Sequence, residues 1–276
     1  MLEPVNSTHV VECFDELPLW SAPFGLMILE HLKLAEHWTY LDLGCGTGFL
    51  AIEIAERTGS HSKVIAVDIW QEALTRLQRK LTLRNVFNVQ VIECDAVNLL
   101  VPDKSVDVVV CNLGINNFPD PFKVVLECNR VLKNHGQLLI TTNLSGHMDE
   151  FYQVFRSTLD ELGLQQHVDS LTCHIAHRGT KEQTETLLNS AGFDVDFVEQ
   201  RSLEMNFANG TALLSHYFMR LAFIPAWKEL VPELMHQPFF SQLERKLNQH
   251  AIDEGGLTLT IPMLFVSASK QDDIQR

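Results

Sequence analysis

The sequence predicts a doubly wound α/β sheet. Three observations carry that expectation. From residue 38 onward, short β-rich runs alternate with amphipathic helical ones. The run Val106–Cys111 is apolar apart from Asp107, as suits a strand buried at the centre of a parallel sheet. And Tyr40–Leu50, YLDLGCGTGFL, is an apolar run entering a glycine-rich turn that opens into a helix.

The elements follow in order. Ser21–Leu34 reads as a helix ahead of the first strand, Trp38–Leu43. Phe49–Thr58 reads as a helix, with Leu50, Ala51, Ile54 and Ala55 on one face and Gly59 as its stop. Lys63–Asp68 is a strand, and Gln71–Leu83 a helix that aligns Leu74, Leu77 and Leu81. Val89–Glu93 is the third strand. Pro121–Leu132 is a helix with proline in its first turn, and Gln137–Asn143 is the fifth strand. Met148–Leu162 looks helical. Thr180-Lys-Glu-Gln183 has the form of a capping box, and its helix ends at Gly192. Asp194–Glu199 alternates like a strand and is open to extension as far as Phe207. An aromatic helical stretch through His216, Tyr217, Phe223, Trp227, Phe239 and Phe240 precedes a last strand, Leu257–Ser267.

This pattern divides the chain into an N-terminal helical cap (1–37), a core (38–203), a helical lid insertion (204–256), and a last strand with its tail (257–276). The insertion is expected over one edge of the sheet.

The composition narrows the function. The chain has 276 residues, enough to bury a sizeable core, and a formal net charge of −14. That balance disfavours nucleic acid, whose phosphates call for Lys and Arg. The first twenty residues lack the apolar stretch of a secretory signal, and no apolar run approaches the ~20 residues of a membrane span. The six cysteines form no C-x-x-C pair, which disfavours a zinc ribbon or redox dithiol and fits reduced thiols in a cytoplasmic setting. No metal site is expected.

The glycine turn is the first candidate site. A helix N-terminus that follows a strand offers unpaired N–H groups and a positive dipole end, and glycine lets a ligand approach the backbone. In open α/β sheets, such ligands bind at the carboxyl ends of strands, near the switch in strand order. The dinucleotide fingerprint is G-x-G-x-x-G. Here Gly44, Gly46 and Gly48 give G-x-G-x-G, and Phe49 follows. Asp42 precedes the turn, and Asp68 ends the next strand, where a carboxylate can accept from both ribose hydroxyls. Asp95 ends the third strand, where it can accept from an adenine amino group. Plainer roles compete: Asp68 as a helix N-cap, Asp95 as the cap of a turn.

The segments LDLGCGTG, VIAVDI, CDA, SVDVVVCN and RVLKNHGQLLI, in this order over residues 38–143, resemble the successive motifs of class I S-adenosylmethionine-dependent methyltransferases. The likeness is greatest to small-molecule enzymes of ubiquinone and menaquinone biosynthesis. The resemblance implies a Rossmann-like, seven-stranded sheet with an antiparallel last strand. It implies S-adenosyl-L-methionine as cofactor, with Gly44, Cys45, Gly46 and Gly48 lining its methionine and ribose portions and Asp42 supporting the turn. Asp68 would hold the ribose, Ile69 would pack on adenine, Asp95 with Ala96 beside it would reach the adenine amino group, and Asn112 would lie by the methionine portion.

The reaction so implied is direct methyl transfer to oxygen or carbon of a small organic molecule, by a monomer or homodimer acting with neither nucleic acid nor membrane. Alignment is the main task, so a base is needed only where the acceptor must lose a proton. Relatives of this type often carry a His-His-Phe-like stretch where this chain has Asn116-Asn117-Phe118, and asparagine is not a base. Asn117, His147 and His177 are the catalytic candidates, and Arg220 is a candidate partner for an acidic substrate. Packing or surface roles are the plain alternative for the histidines. Three rivals remain: a nicotinamide-dependent oxidoreductase, disfavoured by Phe49 and Asp95; an S-adenosylmethionine-binding protein without methyl transfer; and thiol-dependent arsenic methylation, disfavoured because only Cys173 is plausibly distant from the cofactor core.

Overall fold

The computed structural model of the chain describes residues 8–15 and 20–272. The remaining parts of the expected cap and tail lie outside the described residues. Along the chain the elements are α1 (Thr8–Asp15), α2 (Ala22–His31), β1 (Thr39–Leu43), α3 (Phe49–Thr58), β2 (Lys63–Asp68), α4 (Gln71–Arg84), β3 (Val89–Glu93), β4 (Val106–Asn112), α5 (Pro121–Val131) and β5 (Leu132–Asn143). They continue with α6 (Asp149–Glu161), α7 (Val168–Ala176), α8 (Lys181–Ser190), β6 (Phe193–Phe207), α9 (Gly210–Ser215), α10 (Tyr217–Ala222), α11 (Ile224–Glu229), α12 (His236–Glu254) and β7 (Leu257–Lys270).

The seven strands form one sheet in the order β3-β2-β1-β4-β5-β7-β6. β1, β2, β3, β4 and β5 pair in parallel. β7 runs against them. Leu144, just past the end of β5, donates its N–H to Pro262 O, whereas Lys270 at the end of β7 donates to Leu132 O at the start of β5. The expected antiparallel last strand is therefore present. Strand order reverses between β1 and β4, so their carboxyl ends, Leu43 and Asn112, flank the switch point.

The chain divides into two compact units. A helical unit holds 143–179 and 201–262, and a sheet unit holds the rest of the described chain, with boundaries inside β5, β6 and β7 and one just ahead of α8. In the sheet unit, α3 buries Leu50, Ala51, Ile52, Ile54 and Ala55, and α4 buries Ala73, Leu74, Leu77 and Leu81. α5 begins as its sequence predicts: Pro121 sits in the first turn, and the Asp120 carboxylate accepts the Lys123 N–H. The Thr180–Gln183 capping box is closed in both directions.

In the helical unit, Phe151 stacks on Trp227 with ring centroids 4.0 Å apart, and Phe155 meets Phe239 at 4.6 Å. Trp227 and Phe239 are fully buried, so these aromatic residues of the insertion form its core. The Trp227 indole N–H donates to Tyr152 Oη at 3.2 Å, giving the buried donor its partner.

Three elements differ from expectation. β5 starts at Leu132 instead of Gln137, because Leu132 pairs with Val106 and the register then shifts before Val108 meets Gln137. α7 lies in a stretch to which the sequence pattern assigns no element, and it buries only Leu171. α1 was not foreseen; it is tied to α4 by Asp15, which bonds Lys80 at 2.6 Å and Arg76 at 3.1 Å.

Candidate functional site

The turn between β1 and α3 is shaped by its glycines. Gly44, Gly46 and Gly48 have φ of 71°, 51° and 87°, the left-handed region that L side chains rarely adopt. They divide their work. A Cβ at Gly48 would stand 2.1 Å from Leu77 Cδ1, so Gly48 lets α4 pack against the turn. A Cβ at Gly46 would meet nothing within 4 Å, so that glycine leaves open space. The Gly44 and Cys45 N–H groups both donate to Val67 O, at 2.9 and 3.0 Å, fastening the turn to β2.

Two carboxylates brace this turn. Asp42, only 2% exposed, accepts the Ala51 N–H at 2.9 Å and so satisfies a donor in the first turn of α3. Burial pushes its pKa up to about 7; the Ala51 bond opposes the rise, and the charge of Asp68 adds to it. Asp68 ends β2, where its Oδ2 accepts from Gly46 N–H at 2.8 Å and its Oδ1 from Trp70 N–H at 2.9 Å. It sits two residues short of the α4 N-cap, Trp70, so it braces the entry to that helix from outside.

Around the turn, Ile69 is 70% exposed, a large apolar side chain offered to solvent at the end of β2. Cys45 and Ala96 are buried, and burial raises the Cys45 thiol well above its ordinary pKa, so it stays neutral. Asp95 is exposed and accepts the Val97 N–H at 3.1 Å, which is the turn-capping role open to it from the sequence. Asn112 donates to Ser21 O at 3.1 Å and accepts from Thr141 Oγ1 at 2.7 Å, so the end of β4 is tied both to the start of α2 and to β5.

These residues fit S-adenosylmethionine. The positive-φ turn leaves a cradle that a Cβ at Gly46 would narrow, carboxylates end β2 and follow β3, and an exposed apolar side chain stands beside the first of them.

The catalytic candidates fall in different units. Asn117 is in the sheet unit, in a short 3-10 turn after β4, where its amide donates to Leu113 O at 2.9 Å. His147 and His177 are in the helical unit. His147 is 1% exposed, stacks on Phe223 at 5.8 Å and lies 3.4 Å from the Asn143 amide through Nδ1. Burial holds its pKa well below the ordinary value, with the charges of Arg178 and His174 acting the same way, so the ring is a neutral imidazole at neutral pH. His177 is exposed at the end of α7.

Sequence reading missed Tyr152, which bonds His174 at 3.1 Å and shares this polar cluster with Arg178. It also missed Ser21 and Thr141 around Asn112. Thr141 was reachable in principle, since it is the register partner of Asn112. Asp107 is structural, accepting the Thr39 N–H and pairing with Lys133.

A seven-stranded sheet of this order, with a glycine turn at its switch point and acids ending the neighbouring strands, defines the Rossmann-like class of nucleotide-cofactor proteins. Comparison with known proteins narrows the class. Residues 34–192 match the family described as "Methyltransferase domain", and the chain belongs to that family, with the class I S-adenosylmethionine-dependent fold. A demethylmenaquinone methyltransferase of Listeria monocytogenes is 34% identical over 129 residues, 47% of this chain and 54% of that protein. The chain thus spans about half the length of the curated relatives it matches.

Among solved structures, a Bacillus halodurans protein superposes with a TM-score of 0.61 at 18% identity, covering 90% of this chain and 99% of its own. Haemonchus contortus phosphoethanolamine N-methyltransferase 2, in complex with S-adenosylhomocysteine, gives 0.54 at 20% identity, with 90% and 52% covered. The [4+2]-cyclase SpnF gives 0.56 at 17% identity, with 90% and 80% covered. At such identities the likeness is one of fold. Among the described residues no helix is long and apolar enough to cross a membrane.

Proposed function

We propose that this chain transfers a methyl group from S-adenosylmethionine to oxygen or carbon of a small organic molecule. The observation that carries this reading is the brace between Asp68 and the glycine turn: one carboxylate at the end of β2 holds the Gly46 N–H, which supports a ribose-accepting role for it. When bound, S-adenosylmethionine supplies a methyl group already activated on a sulfonium. The chain's residues then have to hold and align. Asp68 accepts from the ribose, Ile69 covers an adenine face, and Asp95 and Ala96 border the adenine edge. The turn at Gly44–Gly48, held by Asp42, offers its backbone to the methionine portion, with Asn112 beside it. Asn117 orients the acceptor by hydrogen bonding. His147, a neutral imidazole, is the base candidate for an acceptor that must lose a proton.

A prenylated quinol heads the acceptor panel, because the curated relatives are named for demethylmenaquinone. A reduced, cytoplasmic setting belongs to the same reading, supported by six free cysteines without a C-x-x-C pair.

The deciding experiment is calorimetric titration with S-adenosylhomocysteine, with NADH as comparison, followed by label transfer from methyl-labelled cofactor across the panel. Micromolar binding of the first ligand alone, with transfer to at least one acceptor, is the expected result. NADH binding without S-adenosylhomocysteine binding overturns the reading. Cofactor binding with no transfer to any acceptor favours a second reading, a cofactor-binding protein with another task, for which Asn116-Asn117 in place of histidines is the motivating observation.

A further inference from the structure

Away from the glycine turn, two elements far apart in sequence bring three metal-ligating groups together. Glu30 and His31 close α2, and Glu199 lies on β6. His31 Nε2 stands 2.9 Å from Glu199 Oε2 across a separation of 168 residues. One ligand atom from each of Glu30, His31 and Glu199 lies within 4.8 Å of the others.

From these positions we infer that Glu30, His31 and Glu199 form a binding site for a borderline divalent cation of the zinc class, independent of the methyl-transfer reading.

The geometry is close to what such an ion needs. Zinc binds imidazole nitrogen and carboxylate oxygen at about 2.0–2.2 Å, so the ligand atoms of a tetrahedral set stand roughly 3.4 Å apart. The His31–Glu199 pair, hydrogen-bonded at 2.9 Å, has to open by only about 0.5 Å to reach that spacing. Glu30, an exposed glutamate on a rotatable stem, closes the remainder. The imidazole is also aimed in advance. Its ring stacks on Phe265 with centroids 4.6 Å apart and planes 20° apart, and lies 4.9 Å from Phe197, so the direction of Nε2 is set by packing. The site further occupies the carboxyl end of α2, where the helix dipole favours positive charge. One nitrogen and two carboxylate oxygens suit zinc better than magnesium or calcium, which take all-oxygen sets. The side chains of His31 and Glu199 keep 31% and 26% exposure, so an ion reaches them from solvent.

A cation here would clasp α2 to the edge strand β6. The other end of α2 adjoins the cofactor residues: Ser21 O accepts from Asn112, and Gly25 packs on Phe49 at the start of α3.

The test is calorimetric titration of the EDTA-stripped full chain with zinc chloride, with magnesium chloride as comparison. The expected result is one saturable zinc per chain that magnesium does not match, with zinc affinity at least tenfold weaker in Glu30→Gln, Glu199→Gln and His31→Ala. Glu30→Gln is the safeguard variant, because it leaves the stacked ring in place should His31→Ala fail to fold. Cys173→Ser should bind zinc like the parent. No saturable zinc binding overturns the proposal, and so does zinc binding that is unchanged in Glu30→Gln and Glu199→Gln.

Discussion

Asp68 accepts the Gly46 N–H at 2.8 Å, so the second strand of the sheet holds the turn that follows the first. The same carboxylate accepts the Trp70 N–H at 2.9 Å and fixes the entry to α4. Asp68→Ala therefore strikes twice. It should weaken S-adenosylhomocysteine binding by one to two orders of magnitude, because charge-assisted bonds to a ribose are worth roughly 1.5–3 kcal/mol. It should also destabilise the fold by about 1–3 kcal/mol, since two backbone donors lose their acceptor. Calorimetry and denaturant melts read the two effects separately. An unchanged dissociation constant in a folded variant removes Asp68 from the site.

Gly48 and Leu77 form a second coupled pair. A Cβ at position 48 meets Leu77 Cδ1 at 2.1 Å, and the backbone there has φ of 87°. Gly48→Ala should cost roughly 2–4 kcal/mol, from left-handed strain and overpacking together. Leu77→Ala empties a fully buried site and should cost about 2–5 kcal/mol by itself. In the double variant the clash disappears and the strain stays, so the combined loss should fall short of the sum by about 1 kcal/mol in a double-mutant cycle. Strict additivity in denaturant melts would show that Leu77 does not set the requirement for glycine.

Asn117 is the candidate whose role the cofactor can be made to reveal. Its amide donates to Leu113 O at 2.9 Å within its own turn, outside the hydrogen bonds of the glycine loop. Asn117→Ala should leave S-adenosylhomocysteine affinity within about twofold of the parent. Turnover on a working acceptor should fall roughly two- to twelvefold, the equivalent of one neutral hydrogen bond of 0.5–1.5 kcal/mol. Equal losses in both would move Asn117 onto the cofactor.

How much of this was legible in the sequence follows from what each feature depends on. β2 falls on the residues expected of it, because a strand buried in a parallel sheet is a β-rich run with turn signals at its ends. The glycine turn and its two carboxylates are legible because a left-handed backbone selects glycine and both acids fall in or at the end of a short β-rich run. α7 was hidden because it buries only Leu171, which leaves no periodic apolar stripe. The early start of β5 was hidden because Lys133-Asn-His-Gly136 reads as a turn, and only the pairing of Leu132 with Val106 keeps it in the strand. The contacts of Asn112 with Ser21 and of Asp15 with Lys80 span 91 and 65 residues, so no local pattern announces them.

Asp42 gives the most direct pH test. In the folded chain burial raises its pKa to about 7, while in the unfolded chain it titrates near 3.9. Below about pH 4 the group is protonated in both states and costs nothing. As pH rises from there, the unfolded carboxyl ionises first, so Asp42 draws the equilibrium toward unfolding by up to about 1.4 kcal/mol per pH unit until the folded group ionises near pH 7. Asp42→Asn keeps an acceptor for the Ala51 N–H and has no charge to bury. The stability of the asparagine variant relative to the parent should therefore climb between pH 5 and pH 7 and level off above it. Paired urea melts across that range read the difference directly, with other titrating groups cancelling. A difference that stays flat with pH would mean that Asp42 is ionised in the folded chain throughout, and that the Ala51 bond and the dipole of α3 outweigh its burial.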